Sequence, residues 1–168
     1  TKNELKQWAN RIGEAYNKAF VNNWEYYPLT DREIKFVLDN LLVVAVPQYI
    51  KLITYNDTVV GFLLGFPDIS AALQRHGGKI TPWGLADIML ELRRTKVISL
   101  NGVGVLPEYQ GRGGNTLLYD EMANLLMQSQ FTEGELTQMA ETAVQVRKDI
   151  ITAGTVPWKN HRIYHKKI

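Results

Sequence analysis

Residues 102–122 read GVGVLPEYQGRGGNTLLYDEM, and their three glycines at positions 111, 113 and 114 separate two different patterns. Residues 97–106, before these glycines, are rich in β-branched side chains, which favours a strand. After them, apolar residues recur at helical spacing, at Leu117, Leu118, Met122, Leu125 and Leu126. The predicted order is therefore strand, glycine loop, helix.

A glycine loop at the start of a helix is suited to binding an anion. The first four N–H groups of a helix have no intrahelical partner and carry partial positive charge. Glycines let an anion approach the backbone closely, and Arg112 adds a cation to the same loop. The alternative is a turn whose glycines satisfy backbone geometry alone, and the spacing does not choose between the two.

Two well-known phosphate loops do not match. A nucleoside-triphosphatase loop needs a lysine followed by Ser or Thr, and none stands at this position. The stretch Gly102-Val103-Gly104 continues into Leu106 and Pro107 instead of a third glycine, unlike a dinucleotide-binding loop. Both classes are disfavoured.

The composition is that of one globular domain, and we expect a single domain over residues 1–168, of which 45% are hydrophobic. The net charge of +2 gives no indication of a nucleic-acid or membrane partner. Without cysteine and with three histidines, we predict no disulfide, no metal centre and a reducing, cytoplasmic setting. The longest apolar runs, such as residues 41–46, are too short to span a membrane. The chain begins at Thr1 and not at Met, which is compatible with a processed or excised portion of a longer protein, and the sequence does not decide this.

Further elements surround the glycine loop. An amphipathic helix is predicted from Leu5, Trp8, Ala9, Ile12, Ala15, Tyr16, Ala19 and Phe20. Thr30 and Glu33 have capping-box spacing for a second helix. The remaining predictions are a hairpin over 49–66 turning at Asn56 and Asp57, helices over 68–76 and 82–94, a strand over 131–140, a helix from 143 to near 154, and a last strand over 162–168.

The loop "VGVLPEYQGRGGN" resembles the acetyl-coenzyme A loop of the GNAT N-acetyltransferase superfamily, whose signature is Gln or Arg, two residues, Gly, one residue, then Gly or Ala. Gln110 and Gly113 match it. The resemblance implies an α/β fold with a mixed, mostly antiparallel central sheet flanked by helices, and acetyl-CoA as co-substrate. It also implies backbone contacts to the coenzyme from Val103, Gly104, Val105, Gln110, Gly111, Arg112, Gly113, Gly114 and Asn115.

The chain departs from the family pattern at two positions of the signature. Asn115 stands where the family has Gly or Ala, and Gly114 stands where it usually has a bulky aliphatic residue. The Asn115 side chain can crowd the phosphate, cap the helix or contact the ligand, and coenzyme affinity depends on which occurs.

Catalytic residues are less well indicated. The tyrosine acid that the family commonly carries in a later helix has no equivalent between Tyr119 and Tyr164. Glu141 is the candidate base, with a carboxylate that merely favours a helix start as the alternative. Asn101 is a candidate hydrogen-bond donor. Aromatic residues between the first two helices either shape an acceptor cleft or close the edge of the core: Trp24, Tyr26 and Tyr27.

We predict an acetyl-CoA-dependent N-acetyltransferase acting on a small-molecule or amino-group acceptor, and a homo-oligomer is compatible with the sequence. The first alternative is a non-catalytic acyl-CoA-binding module of the same fold. The second is an RNA or DNA contact through the basic C-terminal residues Lys159, Arg162, Lys166 and Lys167. The near-neutral net charge disfavours nucleic acid.

Overall fold

The computed structural model describes residues 1–23, 26–136, 139–162 and 164–166. The chain divides into two compact units, Thr1–Thr137 and Gln138–Ile168. The single domain expected over residues 1–168 stays a prediction. The elements of the first unit are α1 (Lys2–Phe20), α2 (Asp31–Val44), β1 (Ile50–Tyr55), β2 (Thr58–Pro67), α3 (Ser70–Arg75), α4 (Pro82–Arg94), β3 (Val97–Val105), α5 (Gly114–Met127) and β4 (Glu133–Leu136). The second unit contains α6 (Val144–Thr152).

The sheet has the order β1-β2-β3-β4. Strands β1, β2 and β3 pair antiparallel, whereas β4 pairs with β3 in parallel. The hairpin between β1 and β2 turns at Asn56 and Asp57, whose φ angles of 46° and 60° are both positive, as a tight hairpin turn requires. The predicted mixed, mostly antiparallel sheet flanked by helices is confirmed.

Helices α1 and α5 pack on opposite faces of this sheet. On β2, Phe62 and Leu64 belong to one apolar cluster with Ile12 of α1. Leu63 belongs to the other cluster, with Leu118 of α5. Because successive strand residues point to opposite faces, this alternation along β2 separates the two helix layers.

The predicted capping box at the start of α2 is confirmed. The Thr30 hydroxyl accepts from the Glu33 N–H at 3.3 Å, and the Thr30 N–H donates to Glu33 Oε2 at 2.8 Å. A second capping box, between Thr1 and Glu4, opens α1 and was not predicted. At α4, the Thr81 hydroxyl accepts from the Gly84 N–H at 3.1 Å.

Two strand predictions are wrong in part. Within the described residues of the strand expected over 131–140, Glu133–Leu136 form a strand and pair with Val97 to Leu100 of β3, whereas 131–132 and 139–140 do not. Residues 137 and 138 lie outside the described residues. The strand expected over 162–168 is absent from its described residues, 162 and 164–166, which have no regular secondary structure. An alternating sequence pattern favours an extended backbone locally, but a strand forms only where a neighbouring strand pairs with it.

Candidate active site

The loop between β3 and α5 is fixed to the end of β3 by hydrogen bonds from the Gln110 side chain and from the loop backbone. Gln110 Nε2 donates to the Val105 carbonyl at 2.9 Å. The Tyr109 N–H donates to the Leu106 carbonyl at 2.8 Å, and the Gln110 N–H to the Pro107 carbonyl at 3.3 Å. These bonds fix where the glycine loop begins, so Gln110 acts here through the loop's shape.

The glycines of the loop have two different physical roles. Gly111 and Gly113 have φ angles of 72° and 81°, and a Cβ at either position would meet no atom within 4 Å. Their backbone conformation requires glycine, and the space beside them is open. A Cβ at Gly114 would lie 3.4 Å from both Ile53 and Val105 side-chain atoms, so Gly114 lets α5 start close to the sheet.

The N–H groups from Gly111 to Thr116 donate to no acceptor in the described part of the chain. The first N–H of this segment that is bonded is that of Leu117, which donates to the Gly113 carbonyl at 3.0 Å. The N-cap residue of α5, Gly113, provides no side-chain cap. Six successive amide donors are therefore available at the positive end of a helix, and the space beside Gly111 and Gly113 is open.

Strand β3 next to this loop has one open edge. Its pairing with the described residues of β4 runs from Val97 to Leu100. Leu106 donates its N–H to the Val60 carbonyl of β2 at 2.9 Å. Because the backbone groups of successive strand residues point to alternate sides, those of Gly104 point to β2, whereas those of Val103 and Val105 point to the opposite edge. No described strand pairs with that edge beyond Leu100.

Arg112 lies on the outer side of the loop. Its guanidinium carbon is 5.6 Å from the centroid of the Tyr109 ring, and Tyr109 lies 5.9 Å from the ring of Tyr55. With Glu108, these residues line a surface depression of about 390 Å³. The arrangement keeps the Arg112 cation beside the free amides.

Asn115 lies in the first turn of α5 and is partly buried. Of the three roles weighed for its side chain, capping the helix is not observed, since α5 has no side-chain cap. Crowding the phosphate and contacting the ligand remain the two alternatives.

Tyr16 of α1 lies beside an irregular point in β3. The register of β2 and β3 shifts between Leu63 and Gly65, opposite Gly102, whose φ angle is 137°. A Cβ at Gly102 would lie 3.7 Å from Tyr16 Cε2. The Tyr16 ring stacks on Phe62 with their centroids 5.7 Å apart. Helical spacing predicted Tyr16 as an apolar-face residue but gave no signal that it meets β3.

Burial raises the pKa of the Tyr16 phenol above its ordinary value. The same environment raises the pKa of Tyr26, first through burial and then through nearby Tyr16, with the Leu29 backbone opposing the rise. Both hydroxyls therefore keep their protons at neutral pH. Tyr26 donates to Asn17 Oδ1 at 2.6 Å.

In the aromatic loop after α1, Tyr26 packs at the edge of the core. The Tyr26 ring lies 6.2 Å from Tyr16 and 6.0 Å from Phe20, centroid to centroid. Tyr27 is exposed, and Trp24 lies outside the described residues. The core-closing interpretation therefore holds for Tyr26.

The two other candidate residues, Glu141 and Asn101, are each described within their own unit. Glu141 lies in an exposed turn of the second unit, and its carbonyl accepts from Arg147 Nη1 at 3.3 Å. It does not follow a strand directly, because β4 ends at Leu136. Asn101 is exposed on β3, one residue after the pairing with the described residues of β4.

Three further findings concern membranes, metals and the basic segment. The described helices include none with the length and apolarity needed to cross a membrane. Across the described ranges, no cluster of three or more acidic or histidine side chains is positioned to hold a metal ion. In the basic segment, Lys159, Arg162 and Lys166 are exposed, and Lys167 lies outside the description, so the nucleic-acid contact stays a prediction.

Together, the mixed sheet, its open edge on β3 and the uncapped glycine start of α5 define an acetyltransferase-type fold. A model of the acetyltransferase (GNAT) family matches residues 9–146. The chain belongs to this family.

Two curated relatives align over nearly all of the chain. Protein YghO of Escherichia coli (strain K12) is 26% identical over 165 residues, and the match covers 94% of this chain and 42% of that protein. A bacterial ceramide synthase of Caulobacter vibrioides is 21% identical over 168 residues, with 96% of this chain and 44% of that protein covered. The chain thus spans less than half the length of these relatives.

Solved acetyltransferase structures share the fold. A putative acetyltransferase from Agrobacterium tumefaciens superposes with a TM-score of 0.59 at 16% identity, covering 95% of this chain and 94% of that one. AAC(6')-Iy, in complex with the bisubstrate analogue CoA-S-monomethyl-acetylneamine, superposes with a TM-score of 0.55 at 13% identity, covering 97% and 93%.

Proposed function

We propose that this chain transfers an acetyl group from acetyl-CoA to an amine. The observation that carries the proposal is the run of six free amide donors from Gly111 to Thr116, next to the open edge of β3. Free N–H groups at a helix start favour a phosphate. Support for the co-substrate comes from AAC(6')-Iy, a fold neighbour whose complex contains a CoA-based bisubstrate analogue. The cysteine-free composition fits a cytoplasmic enzyme.

The residues present fit such a ligand. Diphosphate oxygens would accept from the amides of Gly111 to Asn115, and the Arg112 guanidinium would add a charge-assisted contact. The amide arm would pair with the outward-facing backbone groups of Val103 and with the Val105 N–H, as a peptide adds to a strand edge. The Val105 carbonyl already accepts from Gln110 Nε2. Gly104, also expected to contribute, points its backbone groups to β2, so we assign it a packing role: a Cβ there would lie 2.8 Å from Phe62 Cζ.

The reaction forms one bond and breaks another. The amine nitrogen bonds to the thioester carbonyl carbon, the carbon–sulfur bond breaks, the nitrogen loses a proton and the thiolate gains one. We assign the proton for the thiolate to Tyr16, which lies beside Gly102 at the open part of β3. The phenol remains protonated at neutral pH because burial raises its pKa.

The Tyr16 assignment has a direct test in the pair Tyr16→Phe and Tyr26→Phe. We expect Tyr16→Phe to lower kcat about a hundredfold while leaving KM for acetyl-CoA unchanged, because the ring packing on Phe62 is kept. Tyr26→Phe removes the hydrogen bond to Asn17 and should leave kcat near that of the parent. Equal kcat values for both variants would show that Tyr16 is not the acid.

The acceptor we propose is a primary amine. A ceramide is an amide of a long-chain amino alcohol, and acetylneamine is the acyl-bearing part of the analogue bound to AAC(6')-Iy, so both names concern acyl groups on amino compounds. The acceptor is either a small molecule or an amino group on a larger one.

The second candidate is an acyl-CoA-binding module without turnover. What favours it is the lack of an obvious base: β3 reads VISLNGVGV and carries no acidic or histidine side chain, and Glu141 lies in an exposed turn of the second unit. Such a module would bind the thioester and leave amines unmodified.

Two measurements separate these candidates. Calorimetry with acetyl-CoA should show saturable binding to the parent and none to the double variant Arg112→Glu/Gly113→Asp, and no binding to the parent would reject both candidates. Mass spectrometry of an amine library incubated with the chain and acetyl-CoA then decides between them. One reproducible acetylated product excludes the inert module.

A further inference from the structure

Helix α4 presents apolar side chains to solvent along one side. Trp83 is 81% exposed, and Met89 and Leu90 are each 47% exposed. Together with exposed Ala86, they recur at the three- and four-residue steps of one helical face. We name these four residues the α4 face. Ile80, just before the helix, is 73% exposed and extends the apolar surface.

The two acidic side chains of α4, Asp87 and Glu91, are paired with residues of and just after α3. Arg75 of α3 donates from Nε to Asp87 Oδ2 at 2.8 Å and from Nη2 to Asp87 Oδ1 at 3.0 Å, and it also pairs with Glu91. His76 Nε2 lies 3.1 Å from Asp87 Oδ2. Hydrogen bonds from Arg75 lower the pKa of Asp87, so this carboxylate is charged and paired at neutral pH. No described carboxylate of α4 is left to offset cations at the α4 face.

Cations flank the α4 face at both ends. Arg93 and Arg94 occupy the last turn of α4, and Lys79 precedes the helix. All three are exposed, and none pairs with an acidic side chain in the part of the chain that the structure describes. Arginines in a last turn also interact favourably with the helix dipole, which is a structural reason for cations at these two positions. The dipole does not explain an adjacent tryptophan at 81% exposure.

We infer that the α4 face binds the surface of an anionic lipid bilayer, with α4 lying in the plane of the interface. Helices that bind in this way combine an apolar face containing Trp and Leu with flanking Lys or Arg. Trp83 would occupy the headgroup boundary, where its apolar ring and polar N–H both find suitable surroundings. Arg93, Arg94 and Lys79 would contact lipid phosphates.

A second copy of the chain fits the α4 face less well. Two such faces packed together would bring Arg93 and Arg94 close to cations of the other copy, either the same pair in a parallel arrangement or Lys79 in an antiparallel one. Asp87 and Glu91 are already paired with Arg75. Like charges placed together at an interface cost binding free energy. An anionic bilayer supplies the complementary charge.

Bilayer binding through α4 is compatible with an open glycine loop. Helix α4 precedes the first residue of β3, and the loop follows its last residue. The nine residues of β3 separate these two ends by roughly 30 Å, at about 3.3 Å per residue. A water-soluble ligand would still reach the loop.

The test is flotation of the 168-residue chain with vesicles of phosphatidylcholine alone or mixed with phosphatidylglycerol. We expect binding to the mixed vesicles and much weaker binding to the neutral ones. Arg93→Gln/Arg94→Gln should weaken binding roughly thirtyfold, and Trp83→Asp at least about tenfold. These side chains are exposed, so the variants should fold like the parent.

Matched controls are available elsewhere in the chain. Lys6→Gln/Arg32→Gln removes two exposed cations from α1 and α2, and Trp158→Ala removes another tryptophan, which is 80% exposed. Both controls should float like the parent. Failure of the parent to float, equal flotation with neutral vesicles, or equal losses in variants and controls would each overturn the inference. A parent that does not float but dimerises as its concentration rises, with Trp83→Asp abolishing the dimer, would show that the α4 face binds a second copy and not a bilayer.

Discussion

Helices α2 and α5 have the same length, 14 residues, but begin in opposite ways. At α2, Thr30 and Glu33 satisfy each other's backbone N–H groups. At α5, Gly113 has no side chain to offer, and the donors from Gly111 to Thr116 are left without protein acceptors in the described residues. Helices α1 and α4 also begin with a threonine cap. Helices α3 and α6 also begin without a side-chain cap. What distinguishes α5 is therefore the combination of an uncapped start with the glycines and the run of free donors at that start.

The difference has a thermodynamic side. A side-chain cap stabilises a helix start by about 1 kcal/mol, which α5 does not receive. Gly111 and Gly113 also cost conformational entropy on folding. The open start is therefore less stable than a capped one, and a bound anion would restore the missing contacts.

The largest expected effect is at the open start itself. Gly113→Asp should weaken acetyl-CoA binding about a hundredfold, because it places a carboxylate where we propose the diphosphate. Calorimetry measures this directly. Gly77→Asp is the matched control, since Gly77 has a φ angle of 57° and a Cβ there also meets no atom within 4 Å. If the two variants bind acetyl-CoA with similar affinities, the start of α5 is not the place where the diphosphate binds.

Removing the cap of α2 should lower the free energy of unfolding without changing the affinity for acetyl-CoA. Thr30→Ala should lower the free energy of unfolding by about 1 kcal/mol, because the Glu33 N–H loses its acceptor. Urea unfolding checks this, and the affinity for acetyl-CoA should be unchanged. Thr116→Ala, in the first turn of α5, should change stability by less than about 0.5 kcal/mol. A larger loss at Thr116 than at Thr30 would contradict the comparison.

Arg112 lies near the start of α5 and Arg32 near the start of α2. The two cations should differ in their effect on acetyl-CoA binding. Arg112→Gln should weaken acetyl-CoA binding about fivefold at low salt, and the difference should shrink as salt screens the contact. Arg32→Gln, in the first turn of α2, should have no such effect. Titrations of both variants at two salt concentrations would show whether Arg112 contacts an anion.

The smallest effect concerns acid stability at α2. Hydrogen bonds from the Thr30 N–H and hydroxyl lower the pKa of Glu33 below its ordinary value of 4.5. A lowered folded-state pKa contributes stability above the unfolded pKa, and this contribution is lost as pH falls through the folded one. The stability difference between the parent and Glu33→Gln should therefore narrow below pH 4.5. Helix α5 has no acidic residue in its first turn, so no matching change should arise there.

Much of the fold follows from local patterns, because the signals for its elements lie within a few residues of each other. The Thr81-Pro82 pair predicted the start of α4, and Thr30 with Glu33 predicted that of α2. The partner and direction of β4 could not be predicted in this way, because they depend on β3, with which Glu133–Leu136 pair in parallel. Pairing is a property of two distant segments.

The same limit applies to the candidate site. The order strand, glycine loop, helix and the positions of Gly111 and Gly113 could be inferred from spacing. The bond from Gln110 to the Val105 carbonyl and the contact of Tyr16 with Gly102 could not. Tyr16 and Gly102 are far apart in sequence, and only tertiary packing brings them together.

The open edge of β3 also affects how the chain behaves when its ligand is absent. An unpaired strand edge is a template on which another chain can add a strand, and such edges promote aggregation. The outward-facing backbone groups of Val103 and the Val105 N–H, which suit a ligand's amide arm, would suit a foreign strand equally well. Occupying that edge should therefore protect the chain during storage and concentration, beyond any gain in folding free energy.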